Sequence, residues 1–197
     1  MSIGVVIVCY NTPEHIERAV KSVYDHVNKV VVVDNSEKTN ECYRICDELA
    51  KKDNVNVIHT EENIGHGKGL NIGIKALDTG YIICMDSDSE LLDPSLIKDM
   101  QEALNDDNVY GSGRVLKLGK LPYLHLPFCM FKKETFEKHH SFIHHGAPFV
   151  RTMQQVRNRG LKLVQVDDYD KRLFHEGLAT RKVAGWWRKG FNGKQGI

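Results

Sequence analysis

Tyr81-Ile82-Ile83-Cys84-Met85-Asp86-Ser87-Asp88 is an apolar run that breaks within one residue into two carboxylates. Five consecutive apolar side chains without polar alternation are what a strand covered on both faces requires, so the run predicts an interior strand of a layered sheet. The acidic pair then falls at the strand's carboxyl end. Two carboxylates one residue apart offer hard oxygen ligands that suit Mg²⁺ or Mn²⁺, and Mg²⁺ is commonly held by one or two carboxylates together with substrate phosphates. Asp and Ser also form turns by bonding nearby backbone, so by spacing alone a turn and a cation site carry equal weight.

Upstream of this stretch, strand and helix patterns alternate. Ile3 to Cys9 is a continuous, largely β-branched run. Asn11-Thr12-Pro13-Glu14 then opens a helix, with a cap residue, Pro near the first position and an acidic first turn. Val20, Val23, Tyr24 and Val27 supply its apolar face. Val30 to Val33 is the next strand and ends in Asp34-Asn35-Ser36, Glu41 to Lys51 reads as a helix, and Val55 to His59 as a third strand. After Asn63-Ile64-Gly65-His66-Gly67-Lys68-Gly69 comes a helical stretch, Leu70 to Leu77, and Tyr81 to Met85 is the fourth strand. This is an α/β pattern: a Rossmann-like, mostly parallel sheet flanked by helices with right-handed crossovers. Ligands of such sheets collect at the carboxyl ends of the strands, where Asp34 and Asp86-Ser87-Asp88 fall.

Composition narrows the partners. With 27 Lys+Arg against 26 Asp+Glu in 197 residues, no global field points to nucleic acid or an anionic membrane. No apolar run approaches the roughly 18 residues that span a bilayer, and the first residues lack a secretory pattern. Five cysteines, odd in number and scattered, read as reduced core thiols. A cytoplasmic location is the default expectation.

Gly65, Gly67 and Gly69 alternate with His66 and Lys68 ahead of a helix, an arrangement in which backbone amides and a cation approach a diphosphate. Neither the Walker spacing nor G-x-G-x-x-G is present, and a dinucleotide fingerprint belongs to the first βα turn. A tight connection is the plainer reading of the glycines taken alone.

Four blocks taken in order resemble the family 2 glycosyltransferases of the GT-A fold. They are Val5-Val6-Ile7-Val8-Cys9-Tyr10-Asn11, Val31-Val32-Val33-Asp34-Asn35-Ser36, Glu62-Asn63-Ile64-Gly65 through Asn71-Ile72-Gly73, and Met85-Asp86-Ser87-Asp88-Ser89-Glu90-Leu91. The resemblance implies transfer of a sugar from a nucleotide diphosphate donor, a UDP-sugar first among them, to an acceptor hydroxyl with Mn²⁺ or Mg²⁺. It implies that Val8, Tyr10, Asn11 and Glu14 line the base and ribose, that Asp34 accepts from the base, and that Asn63, Gly65, His66, Lys68 and Asn71 hold the nucleotide-sugar side. Asp88 becomes the direct metal ligand. Asp86 and Ser87 face the ribose or sugar, with Asp86 reaching the cation through water.

Past residue 92, Phe128-Cys129-Met130-Phe131-Lys132-Lys133-Glu134-Thr135-Phe136 resembles the family's acceptor-side strand and following helix. Val150 to Gly160 reads as a helix with a glycine stop, and Lys162 to Val166 as a strand. Inverting members carry an acidic pair at the start of that helix; here the stretch is His144-His145-Gly146-Ala147-Pro148-Phe149, with no carboxylate. Three explanations stand: His144 or His145 is the base, since a neutral imidazole suits proton abstraction near neutral pH; the reaction retains configuration; or Asp167, Asp168 or Asp170 approaches the acceptor. His175, in Leu173-Phe174-His175-Glu176-Gly177, matches a family position that completes the metal shell, and imidazole suits Mn²⁺ better than Mg²⁺.

The expected organisation is one domain over residues 1–180, with a nucleotide-sugar half (1–92) and a smaller acceptor half (93–180), followed by a basic and aromatic tail (181–197) containing Trp186-Trp187. The tail reads as a lid or docking segment. The acceptor class stays open among glycan, lipid-linked sugar, polyol, protein and modified nucleic acid, and so does the oligomeric state. Two other functions compete: a sugar-nucleotide-binding protein without transferase activity, and a related nucleotidyltransferase. The latter would want a glycine-rich, basic turn after the first strand, where this chain has Cys9-Tyr10-Asn11-Thr12.

Overall fold

The computed structural model describes residues 2–138, 142, 148–177 and 179. The first half forms β1 (Ile3–Cys9), α1 (Pro13–Val23), β2 (Lys29–Asp34), α2 (Glu41–Leu49), β3 (Val55–His59), α3 (His66–Ala76) and β4 (Tyr81–Asp86). Each expected strand is present within a residue of its expected bounds. β1, β2 and β4 are buried almost throughout, because helices cover both faces and every side chain of the alternating pair finds a core. Val5, Ile7 and Cys9 point to the α1 and α2 side with Ile16, Val20, Cys42 and Cys46. Val6 and Val8 point to the other side with Leu70 and Ile74 of α3.

The second half adds β5 (Ser89–Leu91), α4 (Ser95–Ala103), β6 (Val109–Leu118), β7 (Leu121–Lys132), α5 (Lys133–Glu137), α6 (Val150–Asn158), β8 (Lys162–Gln165), α7 (Tyr169–Arg172) and β9 (Leu173–His175), of which β6, β7 and β8 continue the same sheet while β5 and β9 pair in a separate two-stranded one. The seven-stranded order is β3-β2-β1-β4-β7-β6-β8. β7 alone runs against the rest among the described strands, antiparallel to both β4 and β6, and β8 returns parallel to β6. β6 and β7 are joined by a tight turn in which Gly119 takes φ 62°, a conformation that favours glycine. The architecture is the α/β, mostly parallel GT-A type that the resemblance implied. Among the described residues no helix is long and apolar enough to cross a membrane.

The start of α3 differs from the sequence reading. α3 begins at His66, not Leu70, so Gly67 and Gly69 belong to the helix rather than to a loop. The Asn63 side chain accepts from the Gly65 N–H at 3.0 Å, and Gly65 enters the helix at φ 87°. The glycines inside α3 serve close packing. A Cβ on Gly69 would lie 2.9 Å from Val8 Cγ1, and one on Gly73 only 2.4 Å from Val6 Cγ1. The helix therefore lies directly on β1, which brings its amino end beside the carboxyl end of β4.

Candidate functional site

Val8 is in register with Asp86 across β1 and β4, so both strands end on one rim of the sheet. The chain turns after Asp86 into β5, and β9 pairs antiparallel with it, placing His175 opposite Ser89. Arg172 secures this distant segment: its carbonyl accepts from the Leu92 N–H at 2.9 Å, and its guanidinium reaches Asp99 at 2.7 Å. The Glu176 N–H donates to the Asp88 carbonyl at 3.1 Å, and the Glu176 carboxylate meets His15 of α1 at 2.9 Å. A two-stranded ribbon thus carries His175 onto the acidic pair.

Asp86, Asp88 and His175 offer ligand atoms that all lie within 4.8 Å of one another. His175 Nε2 is 3.4 Å from Asp88 Oδ1 and 3.8 Å from Asp86 Oδ2, and His66 Nε2 approaches Asp86 Oδ1 at 3.5 Å from the first turn of α3. The other Asp88 oxygen accepts from the Ala179 N–H at 3.2 Å. Two carboxylates and one imidazole at this spacing fit a divalent cation, and the nitrogen ligand favours Mn²⁺ over Mg²⁺. Electrostatics separate the two carboxylates. Burial raises Asp86 above the usual range, with the Asp88 charge adding to it. Burial would raise Asp88 too, but hydrogen bonds from His175 and the Ala179 N–H outweigh it, and its pKa is lowered. His175 is raised, because the Asp88 hydrogen bond and the charges of Asp88 and Asp86 outweigh its desolvation.

The other expected contact residues fall in two groups. Tyr10, Asn11, Asn63, Gly65, His66, Asp86 and Ser87 gather on the rim around the β1, β2 and β4 ends, with Glu14 and Lys68 exposed on the first turns of α1 and α3. Asn11 is held at φ 52°, its N–H donating to Ser36 Oγ at 2.8 Å, and its Oδ1 is buried without a partner among the described residues. Val8, Asp34 and Asn71 instead turn inward. Val8 packs on Gly69. Asp34 is fully buried: its Oδ1 accepts from the Ser36 N–H at 2.9 Å, and its Oδ2 meets His59 Nδ1 at 2.9 Å. The Asn71 amide exchanges two bonds with the backbone of Phe142, at 2.8 and 2.9 Å. His144 and His145 lie outside the described residues, as does the tail with Trp186-Trp187.

On the far side of His175 is a cavity of about 240 Å³ lined by Arg114, His125, Pro127, Tyr169, Asp170, Leu173, Phe174 and His175. Arg114 and Asp170 form an ion pair at 2.9 Å. The His125 ring sits edge-on to His175 at 5.7 Å between centroids, and burial, with the positive charges of His175 and Arg114, pushes its pKa down to about 4. Its Nδ1 is buried with no partner among the described residues. Sequence reasoning named neither Arg114 nor His125. The signal available was His125 itself, a polar residue within the otherwise apolar Leu121-Pro122-Tyr123-Leu124-His125-Leu126-Pro127-Phe128.

The sheet order and the carboxylate–imidazole cluster at the β4 end define a protein of the GT-A type. Residues 4–156 match the model of glycosyl transferase family 2, and the chain belongs to that family. It is 34% identical over 91 residues to glycosyltransferase GlyG of Streptococcus pneumoniae serotype 4, an overlap of 44% of this chain and 30% of that protein. Among solved structures, mannosyltransferase PcManGT from Pyrobaculum calidifontis, in complex with GDP-Man and Mn²⁺, superposes with a TM-score of 0.74 at 19% identity. That match covers 85% of this chain and 55% of the other. Glucosyl-3-phosphoglycerate synthase from Mycobacterium tuberculosis, in complex with Mn²⁺, UDP and glucosyl-3-phosphoglycerate, gives 0.67 at 14% identity, over 95% and 76% of the two chains. The chain spans less than a third of the length of the curated relatives it matches.

Proposed function

We propose that this protein transfers a sugar from a nucleotide diphosphate donor, a UDP-sugar first among the candidates, to an acceptor hydroxyl with a divalent cation held by Asp88, His175 and Asp86. The observation that carries the reading is the convergence of His175, from the far end of the chain, onto Asp86 and Asp88 at the carboxyl rim of β4. A bound Mn²⁺ supplies positive charge at the diphosphate oxygens, where negative charge develops as the anomeric C–O bond breaks. Asp88, whose lowered pKa keeps it ionised, is the firmest ligand. Asp86, flanked by His66, faces the donor from the α3 side of the rim. Tyr10, Asn11 and the Asn63–His66 turn border the base and ribose.

The cavity beyond His175 then receives the acceptor. Asp170 is the one carboxylate among its described lining residues, and with Arg114 orienting it it is a proton acceptor alongside His144 and His145, which lie outside the described residues. The competing reading is a binding protein without transfer. Calorimetry with UDP and GDP, with and without Mn²⁺, followed by incubation with UDP- and GDP-sugars and an acceptor panel, tests both. Mn²⁺-dependent nucleotide binding followed by sugar release or transfer supports the transferase. Binding without any turnover supports the binding protein, and no binding of any nucleoside diphosphate overturns the reading altogether.

A further inference from the structure

A second cluster of ligand atoms lies beneath the first loops of the sheet, away from the Asp86–Asp88–His175 cluster. Cys9 closes β1, Asp34 closes β2 in register with it, and Cys42 and Cys46 stand one turn apart on the inner face of α2. Their Sγ and carboxylate oxygen atoms all lie within 4.8 Å of one another, and all four residues are buried. We propose that Cys9, Cys42, Cys46 and Asp34 form a structural site for a thiophilic divalent cation, Zn²⁺ foremost.

The three separations from Cys9 Sγ are close to the edges of a tetrahedral zinc site. Zinc–sulfur bonds of about 2.3 Å and zinc–oxygen bonds of about 2.0–2.2 Å require tetrahedral edges of about 3.8 Å between sulfurs and about 3.5–3.7 Å between sulfur and oxygen. The structure has Cys9 Sγ 3.8 Å from Cys46 Sγ, 3.9 Å from Cys42 Sγ and 3.4 Å from Asp34 Oδ1. Three thiolates and a carboxylate form a closed donor set of the structural kind, with no position left for water.

The surroundings are built as an outer shell. His59 Nδ1 meets the second Asp34 oxygen at 2.9 Å, and its Nε2 is tied to Asp47 at 3.1 Å, fixing both ring and carboxylate. Tyr43 stacks on the same imidazole at 3.7 Å between centroids. Cys42 lies in the first turn of α2, where the helix dipole favours a thiolate. Cation binding expels the thiol protons and ties β1, β2 and α2 together below Asn11 and the Asp34-Asn35-Ser36 turn. It also accounts for a carboxylate that points inward at a rim where ligands are expected.

The proposal does not depend on nucleotide binding, and its test involves no nucleotide. The full chain, purified under reducing conditions without chelator, is analysed for metal by mass spectrometry, and the metal-free form is titrated with Co²⁺. One zinc per chain, or thiolate-to-cobalt charge-transfer absorption with tetrahedral ligand-field bands saturating at one equivalent, supports the site. The signal is expected to survive Asp88→Asn and to vanish in Cys42→Ser with Cys46→Ser. A folded wild-type chain that carries no metal and gives no charge-transfer band overturns the proposal. So does a zinc signal abolished by Asp88→Asn.

Discussion

Replacing Gly73 with alanine adds one methyl group at the closest contact between α3 and the sheet. The new Cβ would stand 2.4 Å from Val6 Cγ1 and 3.2 Å from Val33 Cγ2, both on buried central strands that have nowhere to retreat. Overpacking of this kind costs about 1–3 kcal/mol, and a contact this short on a rigid strand belongs in the upper half of that range. Alanine's better helix propensity returns about 1 kcal/mol. The net expectation is a loss of about 1–2 kcal/mol, or a urea midpoint on the order of 0.5–1 M lower for a typical slope. Val6→Ala removes the obstructing methyls and leaves a cavity, costing about 2–3 kcal/mol alone. Together the two substitutions should cost on the order of 1–2 kcal/mol less than their sum, because the methyl at residue 73 enters the space vacated at residue 6. Equilibrium denaturation of the four proteins reads this cycle. A Gly73→Ala variant as stable as the parent, or a double variant additive within about 0.5 kcal/mol, would refute the account of why α3 carries glycine here.

Asp88→Asn and His175→Gln should each weaken Mn²⁺-dependent nucleotide binding by at least the 10–100-fold typical of outer-shell losses, since these are direct ligands; calorimetry measures it. In the cation-free protein, Asp88 is lowered and His175 raised, so the Asp88 contribution fades as pH falls through its folded pKa and the His175 contribution fades as pH rises through its own. The stability penalty of His175→Gln should therefore be largest near pH 5–6 and shrink toward pH 9, while Mn²⁺ affinity should fall as acid protonates His175. Asn71→Ala removes both bonds to the Phe142 backbone and is expected to cost about 1–3 kcal/mol and to speed amide exchange at Phe142, read by denaturation and hydrogen exchange. Asp170→Asn should cut transfer while leaving nucleotide affinity intact, and an equal loss of both would remove Asp170 from the acceptor side.

Local sequence carried the first half of the fold because its strands are buried on both faces. A run such as Val30-Val31-Val32-Val33 has no other stable use, and Pro13 marks a helix start; at α2 the structure adds Asn40 as the cap, its side chain accepting from the Cys42 N–H at 2.9 Å. The stretch from residue 93 to 127 yielded no strand assignment. β6 and β7 extend past the helices into a hairpin, so Lys117, Leu118 and Lys120 face solvent and the apolar pattern dissolves there. β5 and β9 are three residues each, too short for any periodicity, and exist only because they pair with each other.

By itself the sequence determined the layered, mostly parallel sheet and the acidic pair at the end of its fourth strand, since both are properties of contiguous residues. Tertiary structure alone decided which groups face which. Whether Asp34 looks outward to a ligand or inward to His59 and the cysteines depends on the packing of α2 and β3. Whether Asn71 faces the cleft or clamps Phe142 depends on a chain segment that returns 71 residues later. The approach of His175 to Asp88 requires Arg172 to anchor β9 against β5. Short-range periodicity records how much of each side chain is buried, but the identity of its neighbour is set by chain closure over long separations, and the chemistry of both clusters rests on those neighbours.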